Sequence, residues 1–338
     1  GFFRKALLAA VLIVTLTVSA GAVVIANWDA ILASRFGEWA ASTPMGQAAF
    51  QEVYVTSVCD DVTLTVRQAL VSEKTVYLVL DYQLPDTVDR EAVQRADQSD
   101  DDFIYPPEIG YYLTGDFSWA DFKAADLKRW HGLDWSDFTS YGDYFLSWNT
   151  LQPYRLSNFS DGSSGEVASQ GYDPETNTLA YLCSITAKDG DLDFTAQPLT
   201  LLVTPPVLRV NGVDTAVTNH PAILTFQPSA VSQTLTGSYR HGGFSARAVL
   251  SPLSIYVEVS GGTAYRDTEE LVSDTSLLLR DGSILPAVDL IFGFTGGGSH
   301  NTEDEYLSSA DFTSQFQDLL DVSQVAAVQV GDIQIPLE

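Results

Sequence analysis

One stretch constrains this chain more than any other. Ala6 to Ala26 is an unbroken apolar run of 21 residues without a charge or a proline, and Arg4 and Lys5 stand just before it. At 1.5 Å per residue such a helix spans about 30 Å, the thickness of a bilayer core. A secretory leader has a shorter apolar region of about 7–15 residues. The run therefore reads as a transmembrane helix over 6–26 that is retained. Arg4 and Lys5 would lie on the cytoplasmic side, and no acid occurs before Asp29. A cleaved signal is the competing reading. Val18-Ser19-Ala20 has small residues at cleavage spacing, and a cut there would leave GAVVIA as a greasy terminus. No cysteine lies near the run to carry a lipid.

Residues 27–49 follow as a juxtamembrane amphipathic helix. Trp28, Ile31, Leu32, Phe36 and Trp39 fall on one stripe at helical spacing, and Ser42-Thr43-Pro44 breaks the pattern. Either the stripe packs on the domain beyond it, or it lies on lipid as a collar.

Charge excludes one class of partner. The chain holds 17 Lys plus Arg against 44 Asp plus Glu, for a net charge of −27. Beyond the apolar run the balance is 15 − 44 = −29, since Arg4 and Lys5 precede it. A surface of that sign repels phosphate backbones, so no nucleic acid is expected.

From residue 50 the period changes to two. Val62, Leu64 and Val66 alternate with Thr63 and Thr65, and TVYLVLDYQL follows across a short turn. LAYLCSITA, PLTLLV and AILTFQP continue the series. A second series runs from FSARAVL through LSIYVEVS, SLLLRDGSIL and DLIFGF to AAVQVGDIQIPL. Short strands punctuated by Gly, Pro and Asp, without regular intervening helices, give a mainly β fold. We expect two antiparallel β-sandwich domains of immunoglobulin-like type, at 50–234 and 235–338.

The segment at about 86–178 reads as an insertion in the first of these. Phe103 to Phe159 holds 16 aromatics in 57 residues, interleaved with acids. Trp119, Trp130, Trp135 and Trp148 are the candidate ligand-binding residues, because flat rings cover sugar faces while carboxylates accept hydroxyls. The same composition also builds a small satellite core.

No pattern for catalysis emerges. Asp189, Asp191 and Asp193 imitate the start of a calcium loop, but Thr200 stands where that loop needs a bidentate Glu. GFTGGGSH lacks the Lys-Ser/Thr ending of a phosphate loop. His131, His220, His241 and His300 show no ligand spacing, and neither a G-x-S-x-G elbow nor an H-E-x-x-H pair occurs. Cys59 and Cys183 sit in strand-like runs. Free buried thiols and a disulfide both fit an extracytoplasmic setting. We expect no enzyme, no cofactor, no metal and no catalytic residue.

Several features together resemble a known family. They are the basic-flanked apolar run, the Trp28-Asp29, Leu32 and Phe36-Gly37 segment, and the hairpin VTLTVRQALVSEKTVYLVLDYQL. GFSARAVLSPLSIYVEVS with its Ser251-Pro252-Leu253 step, LLLRDGSIL, and the closing VAAVQVGDIQIPL complete the set. The layout resembles ectodomains of unknown function on membrane-tethered anti-sigma factors of Gram-positive bacteria. The likeness covers most of the chain outside 86–178. It implies a sensing or binding ectodomain outside the cell membrane, and a cytoplasmic sigma factor held through a segment upstream of Gly1. A cell-wall or glycan ligand is the partner that the aromatic segment would serve. The rival expectation is a secreted or surface-anchored carbohydrate-binding protein that uses the aromatic segment.

Overall fold

The computed structural model describes residues 28–338 apart from 60, 100, 108, 113–162, 188–191, 204, 219–221, 230–232, 262–264 and 301–305. The run 6–26 and Trp119, Trp130, Trp135 and Trp148 lie outside the described residues. Among the described residues, no helix is long and apolar enough to cross a membrane.

The segment expected as one amphipathic helix is two short ones. Helix α1 (Ala30–Phe36) starts where Asp29 caps the Ile31 amide and stops at Gly37, whose φ of 85° suits glycine. A 3-10 turn at Ala40–Ser42 follows. Ser42-Thr43-Pro44 ends that turn and also opens helix α2 (Pro44–Ala49). Thr43 Oγ1 accepts from the Gly46 amide, and Pro44 takes the first helical position. Gly46 is needed for space, since a Cβ there would lie 2.1 Å from the Ala40 carbonyl oxygen.

The chain beyond α2 is mainly β. Strands β1 (Phe50–Cys59), β2 (Val62–Val71) and β3 (Thr75–Gln83) form a meander. Helix α3 (Arg90–Gln98), capped by Asp89, leads to β4 (Phe103–Tyr105) and β5 (Ile109–Tyr112). Then come β6 (Ser163–Asp173), β7 (Thr178–Ala187), β8 (Leu199–Val203), β9 (Val207–Val210), β10 (Val213–Ala216) and β11 (Ala222–Phe226). A five-stranded sheet has the order β1-β2-β3-β7-β6, and two three-stranded sheets run β10-β9-β4 and β11-β8-β5. The ends of the 86–178 segment are thus integral to this unit: β4, β5 and β6 each pair with strands from outside it.

The second unit starts at β12 (Leu235–His241) and β13 (Phe244–Leu250), followed by β14 (Ser254–Ser260), α4 (Thr268–Ser273), β15 (Thr275–Leu279) and β16 (Ile284–Pro286). It ends with β17 (Thr295–His300), β18 (Leu307–Gln315), β19 (Val325–Val330) and β20 (Ile333–Pro336). Its sheets are β12-β13-β14-β18-β17 and β16-β15-β19-β20. Reciprocal amide bonds of 3.1 and 3.0 Å between Thr236 and Glu338 join the two sheets along one edge.

Each unit has its own core. In the first, Val62, Leu64 and Val66 point inward while Thr63 and Thr65 remain partly exposed, as the alternation requires. Leu80, Tyr82, Leu179, Tyr181, Phe194, Leu201 and Leu224 complete that interior. In the second, Leu250, Val257, Leu277, Phe312, Phe316 and Val328 do the same.

Both cysteines are free thiols, Cys183 buried and Cys59 half-buried. The register explains why they do not meet. Cys59 pairs with Val62, while Cys183 pairs with Leu78, itself opposite Ala69. From Val62 to Ala69 along β2 is roughly 23 Å at 3.3 Å per residue.

Candidate functional site

A third core lies between the two units, and α1 forms its centre. Trp28, Leu32 and Phe36 bury against Leu70, Tyr77 and Val79 of the first unit and Leu253 and Leu319 of the second. Burying each large side chain contributes about 2 kcal/mol. Trp28 stacks on Phe50 at 6.5 Å and meets the edge of Phe36 at 6.3 Å, while Phe36 sits edge-on to Tyr77 at 4.9 Å. The apolar stripe of α1 therefore packs on protein, which corrects the lipid-collar reading for these three side chains.

The seam forms because β2 and β3 are covered on both faces. A register shift between Val66 and Gln68 precedes the run Ala69-Leu70-Val71. Leu70 then faces the seam while Ala69 and Val71 face the first core. In β3, Val76, Leu78 and Leu80 point into the core, and Tyr77 and Val79 point into the seam. From the second unit, the turn between β13 and β14 delivers Leu253. Ser251 Oγ accepts from the amides of Leu253 at 3.2 Å and Ser254 at 3.1 Å, which fixes the Ser251-Pro252-Leu253 step.

Polar groups bind the three elements together. Arg35 Nη1 donates to Gln317 O at 2.6 Å and Nη2 to Phe316 O at 3.1 Å. Its guanidinium also lies 4.6 Å from the Phe36 ring centroid and 5.8 Å from that of Tyr77. The Tyr77 hydroxyl donates to Gln315 Oε1 at 2.5 Å, and Gln315 Nε2 donates to Thr186 Oγ1 at 2.7 Å. At the start of α1, Asp29 accepts from Arg67 Nη1 at 2.5 Å, and Gln68 Oε1 accepts the Asp29 amide at 2.5 Å. Arg67 Nε lies 2.9 Å from Asp81 Oδ2, an ion pair off the hydrogen-bond direction. Burial pushes the Asp81 carboxyl above its ordinary range, and the Arg67 charge opposes that rise.

This arrangement has no nucleophile beside a base, and among the described residues no group of three His, Cys, Asp or Glu could hold a metal ion. The arrangement holds a short helix against two β units at once. No family model matches the chain, and no curated protein matches its sequence. A solved structure, described as the crystal structure of the conserved domain protein from Bacillus anthracis, aligns over 82% of this chain and 75% of its own. The identity is 13% and the TM-score 0.37, a likeness too loose to carry an argument.

The seam residues Tyr77, Thr186, Gln315, Arg35 and Arg67 were not singled out by the sequence reading. The one available signal was TVYLVL, where apolar residues occupy both parities and so announce a strand covered on both faces.

Proposed function

We propose that the chain is the extracytoplasmic sensing or binding part of a single-pass membrane signalling protein. Its two β units are taken as immunoglobulin-like sandwiches, Ala6–Ala26 as a retained anchor, and α1 as the link between them. One observation supports this most: Trp28, two residues beyond the apolar run, is buried in a core shared by both units. A ligand that shifts one unit on the other would change the packing of α1 and reach the anchor directly. The strongly acidic surface suits a solvated outer face. The resemblance to anti-sigma ectodomains agrees in kind, with the sigma factor reached through a segment upstream of Gly1.

The test is fractionation of the full-length protein from cells, with sequencing of its mature N-terminus. Membrane recovery, with an intact run and a C-terminus open to external protease, is expected. Soluble protein beginning at Gly21 would remove the tether and this reading with it.

A surface carbohydrate-binding role is the second reading, carried by the 16 aromatics between Phe103 and Phe159. Glycan affinity that vanishes on Trp119→Ala or Trp135→Ala, with the melting temperature retained, would favour it.

A further inference from the structure

We propose that the face formed by the outer side of α1 and the segment 288–294 rests on the phospholipid headgroup layer. The inference rests on Ala6–Ala26 being a retained anchor, and it names a surface which that reading leaves open.

Distance comes first. Ala26 and Trp28 are two residues apart, so their Cα atoms are separated by at most about 7 Å. Trp28 is fixed in the seam by Phe50 and Phe36. The protein surface around α1 must then sit at the depth of the headgroups.

That surface has the chemistry for the place. Ala30 and Ser34 are exposed on α1, and its first acid, Asp29, is paired with Arg67. No further acid occurs until Glu38. Arg35, at the end of α1, stands 5.7 Å from the Phe292 ring centroid. Phe292 is 61% exposed, Val288 52% and Phe294 43%. Trp39, 37% exposed, follows just after the same helix.

The backbone that carries Phe292 is anchored. The Leu290 and Ile291 amides both bond to Ala287 O, the Phe292 amide bonds to Gln315 O, and the Gln317 amide bonds to Leu290 O. Ser314 Oγ donates to Gly293 O. From Leu290 to Ser299 there is no charge, in a chain that carries 44 acids.

Exposed apolar patches of this kind mark interaction sites, and aromatic rings favour the membrane–water interface. The acidic remainder is repelled by an anionic leaflet, so this face, on which the exposed Asp289 is the one acid of 288–294 and Arg35 the cation beside it, is the one that can approach it. Arg35 adds a cation of the sign that phosphate attracts.

The experiment uses the full chain in phosphatidylcholine–phosphatidylglycerol vesicles carrying a diazirine-labelled phospholipid, with the labelled peptides mapped by mass spectrometry. Label is expected both in 6–26 and in 288–294. Phe292→Ser with Phe294→Ser should cut the second several-fold, leaving the first and the melting temperature unchanged. Label confined to 6–26 overturns the docking face while the anchor stands. No label in 6–26 overturns the anchor reading beneath it. Protection of 288–294 from lipid, together with chain-to-chain cross-links there, would assign the face to a second copy and equally overturn the proposal.

Discussion

The Tyr77 hydroxyl of β3 and the Gln315 side chain of β18 meet at 2.5 Å across the seam, although 238 residues separate them in sequence. Gln315 passes the contact on to Thr186 of β7. Two strands of the first unit are thus tied to one strand of the second through a single amide side chain.

Removing one partner of that bond should cost more than removing both. Tyr77→Phe leaves Gln315 Oε1 without its donor in a partly buried setting, a loss of about 1–3 kcal/mol. In a double-mutant cycle with Gln315→Leu, urea unfolding should report a coupling of about 1 kcal/mol. A coupling of zero would mean that the bond does not form in solution.

Phe36 tests the seam through packing instead. It is 2% exposed and touches Trp28 and Tyr77. Phe36→Ala should cost about 3–5 kcal/mol. Because each unit keeps its own core, the loss should fall on their docking, and calorimetry should show one melting transition becoming two. A single transition at a lower temperature would show that neither unit stands without the other.

These two residues illustrate what the sequence could and could not say. The half-buried strand is legible at Val62, Leu64 and Val66 because every second side chain meets one core. Residues 76–80 of β3 are apolar on both parities, so a second covering layer was also legible there, though not its identity. Leu253, Leu319 and α1 supply that layer, and no local spacing links positions so far apart. Arg35 and Gln315 are single polar residues in unremarkable company, and only the tertiary arrangement brings Arg35 to the Gln317 and Phe316 carbonyls and Gln315 to the Tyr77 and Thr186 hydroxyls. The N-terminal stripe was legible as amphipathic. Lipid and protein present the same apolar surface to such a stripe, so the pattern alone could not choose between them.

The pH dependence should reveal a like-charge pair in the second unit. Asp311 on β18 lies directly opposite Glu258 on β14, and Arg247 faces Glu258 from the other side. Burial first, then the Glu258 charge, pushes the Asp311 carboxyl above its ordinary range, while a bond from the Gly297 backbone opposes the rise. Its folded pKa exceeds the unfolded value of 3.8. The stability it contributes is therefore fully present below pH 3.8 and is lost as pH rises through the folded pKa. Asp81 acts in the same sense. Asp173, Asp214 and Asp281 are lowered by hydrogen bonds and act oppositely as pH falls. Comparing Asp311→Asn with the parent isolates the one group. The variant should melt higher at pH 7, with the gain shrinking toward about pH 4. A gain independent of pH would point away from the carboxylate charge.

The last prediction concerns two hydroxyls in the first core. Tyr82 and Tyr181 are fully buried, and neither hydroxyl has a hydrogen-bond partner in the structure. They share one face of the sheet, Tyr82 opposite Leu179 and Tyr181 opposite Leu80. Burial is the main reason that both phenols are pushed above their ordinary range, so they remain neutral across the physiological window. An orphaned buried hydroxyl costs about 1–3 kcal/mol relative to a satisfied one, and phenylalanine fills almost the same volume without that cost. Tyr82→Phe and Tyr181→Phe should therefore leave stability unchanged or raise it, each by up to about 1 kcal/mol. The sign decides whether these hydroxyls are served by a polar partner in solution. Destabilisation of both single variants, with a double variant losing less than their sum, would mean that the two hydroxyls share a bound water. Urea unfolding of the three variants, followed by the tryptophan signal, separates a dry core from a hydrated one.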